Sequence, residues 1–432
     1  MKKCILLASA IAICFISGYA QHQTEVQIDS LKNNHRIISI GDGDAPHPDS
    51  VRAVLDKFYI DQFRHFQDPR APYFLFMSKD NKFAMGIGGV VRMRGWYDWG
   101  GVIPYNGFIP EAISVPSNNI ARRKLSTTPA GTALYFRVIG NNHRLGDYQL
   151  YIETNFDGYN QVGMKLKKAY ATVNDWTIGY ANSTFGDPAA FPVLIDAQGP
   201  QAEVQTTAVL LRWMHSFNKN WTVAASVETP QSQVGYDNIS TSKVDDWAPN
   251  IATFGQFGWG NNEHIRLSGI MRMLPYHDMI NGSNEHQIGW GVQLSSVIRP
   301  IKPLTIYATG NIGHGYGSLT GDLIMGNYDL INNPNVNGEM YAPKSFAWYG
   351  AVQYNFRPNI YATAAFGQER FLPKYNVSGD TYKYGLYSAF NLFWDITPRF
   401  EVAAEINFGK RVNFNGESNW ARRACLMTQF SF

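Results

Sequence analysis

Arginine recurs at alternate positions in several short segments of this 432-residue chain: Arg92 and Arg94 ahead of Asp98, then Arg137, Arg212, and Arg266 with Arg272. Even spacing puts side chains on one face of an extended backbone. Arg92, Arg94 and Asp98 then oppose Val91, Met93, Tyr97 and Trp99, and Arg137 shares a face with Tyr135. Arg212 falls between Leu211 and Trp213, and Arg266 and Arg272 fall among Ile265, Leu267, Met271 and Met273. Guanidinium stays charged in any aqueous setting and forms forked hydrogen bonds to carboxylates and phosphates, so a cluster of such faces favours anions. Opposing acids are present. Glu153, Asp157, Glu401 and Glu405 share the arginine side by alternation, and Asp187, Asp196 and Glu203 lie in one connection, 185–203. Two readings follow: the acids and arginines hold a wet interior together, or the arginines keep donors for a passing anion.

No arrangement suggests catalysis or a cofactor. There is no G-x-S-x-G motif and no zinc-ligand spacing, and His215, His277 and His286 form no constellation. Asp42 and Asp44 sit in a Gly-Asp-Gly-Asp run without the other ligands of a calcium loop, which reads as a solvated turn.

Placing these charges requires strands. From Phe83 onward, alternating segments recur near 83–99, 132–139, 148–157, 162–173, 176–184, 204–216, 221–229, 249–258, 264–274, 286–298, 304–314, 345–356, 360–369, 382–394, 400–411 and 419–432. Short Asn-, Gly- and Pro-containing turns alternate with longer connections at 100–131, 185–203, 230–248, 275–285, 315–344 and 370–381. Short on one side and long on the other is the asymmetry of a transmembrane barrel. Trp176, Phe217, Trp221, Phe356, Tyr361, Trp394, Phe400 and Phe432 border the short turns, where an aromatic girdle belongs. In the last segment Trp420, Ala424, Leu426, Phe430 and Phe432 share one face, and Arg423, Gln429 and Ser431 the other, with Arg422 near the outer end breaking the apolar pattern. Such a strand is protected when it pairs with the first and closes the sheet. The sequence therefore predicts an all-β, transmembrane antiparallel β-barrel of about 16 strands over 83–432.

Ahead of the barrel, Lys2 and Lys3 precede the apolar run Ile5 to Ile16 and a small-residue site at Ala20, which reads as a signal peptide over 1–20. Its loss removes Cys4 and Cys14, leaving Cys425 and no internal disulfide. With two of 37 basic residues gone against 34 acidic ones, the chain is near neutral, and nothing suggests nucleic-acid binding. Residues 21–82 read as a periplasmic lead with a short helix from Asp49 or Ser50 to about Phe66, which packs at the barrel mouth or joins protomers.

The connection 185–203 combines three prolines with the apolar run Phe191 to Ile195. Folded into the barrel, it would bury that run, set its acids against the arginines and narrow the pore.

The run from Gly146 to Thr184 contains Asp147-Tyr148-Gln149-Leu150-Tyr151-Ile152-Glu153, Leu166-Lys167-Lys168-Ala169-Tyr170 and Thr177-Ile178-Gly179-Tyr180. Together with the signal, lead and Arg-containing first strand, it resembles the general-diffusion porins of the outer membrane and, more closely, the DcaP-like porins. The resemblance implies homotrimers and uptake of small, often anionic solutes. The expected function is passive diffusion of small hydrophilic solutes across the outer membrane, in contact with its lipid, without enzyme activity or cofactor. The expected constriction comprises Arg92, Arg94, Arg137, Arg212, Arg266 and Arg272 with Asp187, Asp196 and Glu203. A TonB-dependent transporter would need a longer plug than 21–82. A surface receptor or adhesin with a blocked lumen is the alternative.

Overall fold

The computed structural model describes residues 36–40, 74–78, 82–158, 162–260 and 263–432. Sixteen strands make the barrel. They are β1 (Phe83–Trp99), β2 (Ala133–Asn142), β3 (Gly146–Phe156), β4 (Met164–Val173), β5 (Trp176–Asn182), β6 (Thr207–Ser216), β7 (Trp221–Glu228) and β8 (Asn250–Trp259). There follow β9 (Glu263–Asp278), β10 (Ser283–Ile301), β11 (Leu304–His314), β12 (Lys344–Arg357), β13 (Ile360–Leu372), β14 (Tyr382–Asp395), β15 (Phe400–Asn413) and β16 (Ser418–Ser431). Each pairs antiparallel with its chain neighbours, and β16 returns to β1, from Arg422 opposite Trp99 to Ser431 opposite Val90. Phe432 adds two backbone bonds to Gly89, each 3.0 Å. Closure leaves the barrel strands without a free edge at this seam.

Side chains alternate as a barrel requires. On β9, Ile265, Leu267 and Met271 are exposed outward, and His264, Arg266, Ser268 and Arg272 are buried within. Trp176, Phe217, Trp221, Phe356 and Trp394 lie exposed near the short turns as a girdle. Tyr361 departs from that expectation. Its ring stacks on buried Phe393, 5.0 Å between centroids, and its hydroxyl donates to Glu401, so it belongs to the interior.

Two further differences concern the ends of the barrel. Residues 275–285 are not a long connection: β9 and β10 continue as a paired ladder to Asp278 and Ser283, joined by four residues. Pro275 is accommodated near the end of this ladder, where fewer backbone bonds depend on it. From the lead, Phe74–Ser78 pairs antiparallel with β1 at Ala84 to Ile87, and Arg36–Ile40 pairs parallel with it. The helix expected over 50–66 and the signal over 1–20 lie outside the described residues. Among the described residues the only helical segments are short 3-10 turns.

The interior is filled by the longer connections rather than by a second layer. Ile103, Phe108 and Ile113 of the β1–β2 loop (100–132) join Ala190, Leu194 and Ala202 of the β5–β6 loop (183–206). They pack against Tyr349 of β12 and Tyr387 of β14. Burying each large apolar side chain stabilises these inward loops by roughly 1.5–3 kcal/mol.

Candidate functional site

The β5–β6 loop enters the lumen, as its composition predicts, and runs along one part of the wall. Thr184 N–H donates to Glu228 of β7 at 2.8 Å. Phe185 meets Tyr316 edge-on, and the 3-10 turn Pro188–Ala190 follows. The Ala190 carbonyl accepts from Tyr349 of β12 at 2.9 Å, and that of Val193 from Asn391 of β14 at 3.0 Å. At the far end Glu405 of β15 accepts the N–H groups of Ile195 and Asp196 at 2.7 and 2.9 Å, and Arg94 of β1 donates to the Ile195 carbonyl at 3.1 Å. A buried loop needs such partners for its backbone, and the barrel wall supplies them.

The loop acids find different partners. Asp187 faces Arg266 at 3.2 Å, His264 at 2.8 Å and Ser295 at 2.5 Å, so the loop reaches the second residue of β9. Burial pushes its carboxyl up, but Arg266 and the hydrogen bonds from His264 and Ser295 outweigh this and hold it at about 2. Asp196 accepts from the Phe108 N–H at 2.8 Å and the Tyr387 hydroxyl at 2.9 Å, tying this loop to the β1–β2 loop, and burial raises its pKa. Glu203 accepts from Gln205 of its own loop at 2.8 Å, and burial drives its pKa well up. It makes no ion pair with the arginine wall among the described residues.

The six arginines divide by what they hold. Arg94 and Arg266 bind loop carbonyls, and Arg266 also grips Gln256 through two donors while its guanidinium covers Phe254 at 4.2 Å. Arg92 donates to Gln429 across the barrel seam at 2.6 Å. Arg272 is not part of the β5–β6 loop constellation. It pairs with Asp329 of the β11–β12 loop (315–343) at 3.2 Å and donates to the Gly315 and Gln231 carbonyls. Arg137 and Arg212 stand on β2 and β6, donating to Gln149 at 2.8 Å and to the Asn182 carbonyl at 3.3 Å.

Between them, alternation alone would misplace a lysine. A register shift in β3–β4, where Glu153 opposes Lys168 and Thr154 opposes Leu166, leaves Lys167 as the extra residue of a bulge. Both lysines turn to buried Glu153, with Nζ to carboxylate distances of 2.9 Å for Lys167 and 3.9 Å for Lys168. The Lys167 side chain remains 25% exposed. Tyr135, Tyr151 and Tyr170 step across β2, β3 and β4 beside them, with centroids 6.1 and 5.3 Å apart. This wall therefore carries Arg137, Lys167, Lys168 and Arg212, with the two lysines at the carboxylate of Glu153 and Arg212 further along, opposite Thr177.

A second acidic node was not visible as a pattern. Glu369 of β13 accepts from Thr320 and from the N–H groups of Asp322 and Leu323, while Asp322 accepts from Tyr382 and from Gln201 of the β5–β6 loop. Loop and wall residues that are remote in sequence meet there.

The barrel is similar to solved structures. The outer membrane channel DcaP of Acinetobacter baumannii aligns with a TM-score of 0.70 at 18% identity, covering 83% of this chain and 99% of that one. The fold is that of the outer-membrane porins. An anion-selective porin from Comamonas acidovorans aligns at 0.50 and 8% identity, covering 81% and 100% of the two chains. The trimer form of OmpT from Vibrio cholerae aligns at 0.50 and 9%, covering 81% and 100%. No protein-family model and no curated protein sequence matches the chain. Within this porin fold, the β5–β6 loop lies inside the barrel and the β2–β4 and β6 strands carry the cations Arg137, Lys167, Lys168 and Arg212.

Proposed function

We propose that the chain is a passive diffusion channel of the outer membrane, admitting small hydrophilic solutes with a lean toward anions, assembled as a homotrimer and exported by a cleaved signal peptide. The observation that carries this reading is the pairing of an inward β5–β6 loop with a facing wall that bears four cations, Arg137, Lys167, Lys168 and Arg212. The loop's anchors run along β7, β9 to β12, β14, β15 and β1, so the solute path lies on its other side, beside β2–β6. Fixed cations in a narrow water-filled section select anions without energy coupling. Lys167, whose side chain keeps 25% of its surface exposed, is assigned to the solute path, in a wall reinforced by the buried Arg137 and Arg212. Arg92, Arg94, Arg266 and Arg272, with Asp187, Asp196 and Glu203, frame it by fixing seam and loops. The similar fold of an anion-selective porin and of a trimeric one supports the reading.

The test is the reversal potential of purified protein in a planar bilayer under a KCl gradient. Ohmic steps with anion preference are expected, and cation preference would mean the acids prevail. The second reading, a surface receptor with a blocked lumen, draws on the burial of Arg94, Arg266 and Arg272 beneath three inward loops. Absence of conductance from well-folded protein would favour it.

A further inference from the structure

Successive residues of a strand face opposite sides, so the Lys167-Lys168 pair should send one ammonium outward into lipid, where charge is destabilising. The bulge at Lys167 prevents this. Lys168 stands opposite Glu153 and Leu166 opposite Thr154, which turns both lysines to the inner face while Met164 and Leu166 stay exposed outside.

The two lysines share Glu153 unequally. Lys167 Nζ is 2.9 Å from Oε1 and Lys168 Nζ is 3.9 Å from Oε2, and the Tyr151 hydroxyl donates to Oε2 at 2.9 Å. Glu153 itself is fully buried. The Lys167 side chain is 25% exposed and that of Lys168 9%, so the ammonium drawn closest to the carboxylate belongs to the lysine that reaches water. A lysine stem is four flexible carbons long, and the reach of its charge is set by what retains it. The Tyr151 ring packs between those of Tyr135 and Tyr170, which keeps the carboxylate in place. Tyr151, Lys167 and Lys168 all stand on β3 and β4, so the arrangement does not rest on the inward loops.

We propose that Glu153 determines how strongly this wall selects: it holds the Lys167 ammonium back against the wall and cancels one of the two lysine charges. The inference rests on the diffusion-channel reading and deepens it. Glu153 acts through Lys167 as a positioning residue and does not itself meet the solute. Removing its charge adds one net positive charge beside the path. At roughly 6 Å, even with the dielectric constant of water, such a charge changes local ion occupancy about threefold. Glu153→Gln should therefore raise the chloride-to-potassium permeability ratio about threefold or more. The rise should shrink at about 1 M KCl, where charges are screened within about 3 Å. A change in pore width would not depend on salt in this way.

Reversal potentials in planar bilayers under KCl gradients, centred on about 0.1 M and about 1 M, test the proposal. Glu153→Gln should gain anion preference at low salt, and Glu153→Gln with Lys167→Gln should return to the native value. Tyr151→Phe keeps the charge, loses only the hydrogen bond and should stay near native. Unchanged selectivity in Glu153→Gln, or an equal rise in Tyr151→Phe, would overturn the proposal, and anion preference of the native protein would leave the channel reading standing. A second measurement needs neither conductance nor a variant. Folded native protein in detergent, treated with N-hydroxysuccinimidyl acetate and mapped by peptide mass spectrometry, should acetylate Lys167 several times more slowly than exposed Lys219. In Glu153→Gln the two rates should approach each other. Equal rates in native protein would overturn the tether, whereas slow Lys167 acetylation in a protein that does not conduct would overturn the channel reading alone.

Discussion

Arg423 and Asp98 are 325 residues apart in sequence and meet as a two-pronged ion pair across the barrel seam, with Nε–Oδ1 at 2.7 Å and Nη2–Oδ2 at 3.0 Å. Both side chains are 1% exposed. The same guanidinium donates to the carbonyls of Ile103, Tyr105 and Asn106, so one residue fastens first strand, last strand and the β1–β2 loop. It also lies over Trp96 at 4.9 Å.

Removing half of this pair should be costly. Asp98→Ala leaves the guanidinium buried without its carboxylate, a loss of about 3–5 kcal/mol for a pair of this kind. The expected result is a lower urea midpoint for barrel unfolding in detergent, followed by tryptophan fluorescence. A midpoint equal to that of native protein would mean loop carbonyls alone satisfy Arg423.

Charge on the β2–β6 wall should set ion preference. Lys167→Glu is expected to move the KCl reversal potential toward cations, whereas Lys219→Glu, exposed in the β6–β7 turn, should leave it nearly unchanged. Equal shifts in both variants would place selectivity in the general field of the protein and not at the bulge.

Loop position should show in the current itself. Glu405→Ala strips the acceptor from Ile195 and Asp196 N–H, each a loss of about 1–3 kcal/mol when left buried and unsatisfied. Greater open-channel noise is expected in single-channel records. Noise indistinguishable from native would show that Tyr349 and Asn391 suffice to hold the loop.

Acid should act on the same loop in two directions. Asp187 is held at about 2, below its ordinary 3.8, so it stabilises docking above pH of about 4, and that contribution is lost as pH falls toward 2. Burial raises Asp196 and Glu203, so their contribution is present at low pH and lost as pH rises through their raised values. Channel noise recorded from pH 8 to pH 3 should pass through a minimum in the mildly acidic range. A monotonic rise on acidification would mean that Asp187 alone governs docking.

The strand frame was legible because a membrane barrel enforces period two, and Arg92, Arg137 and Arg266 fall inside as their parity requires. The inward course of the β5–β6 loop was legible from its apolar run between prolines. Lys167 was not, because a bulge breaks the parity on which that reasoning depends. Tyr361 borders a turn and carries a girdle residue type, yet its hydroxyl finds Glu401, a partner that only register across strands reveals. Arg272 shares a face with Arg266, but six residues of rise carry it to a different loop. The Asp322–Glu369 node depends on the folding of a long connection, which has no periodicity to read.

The strand Phe74–Ser78 gives the lead a consequence for how the barrel can be handled. It pairs with β1 at Ala84 to Ile87, below the point where Phe432 meets Gly89, and its Leu75 and Met77 are fully buried. Trimming the chain to 83–432 would therefore bare that stretch of β1, an adhesive surface that recruits another chain's strand. Such a trimmed barrel should aggregate during refolding, and the lead acts as a built-in guard against misassembly.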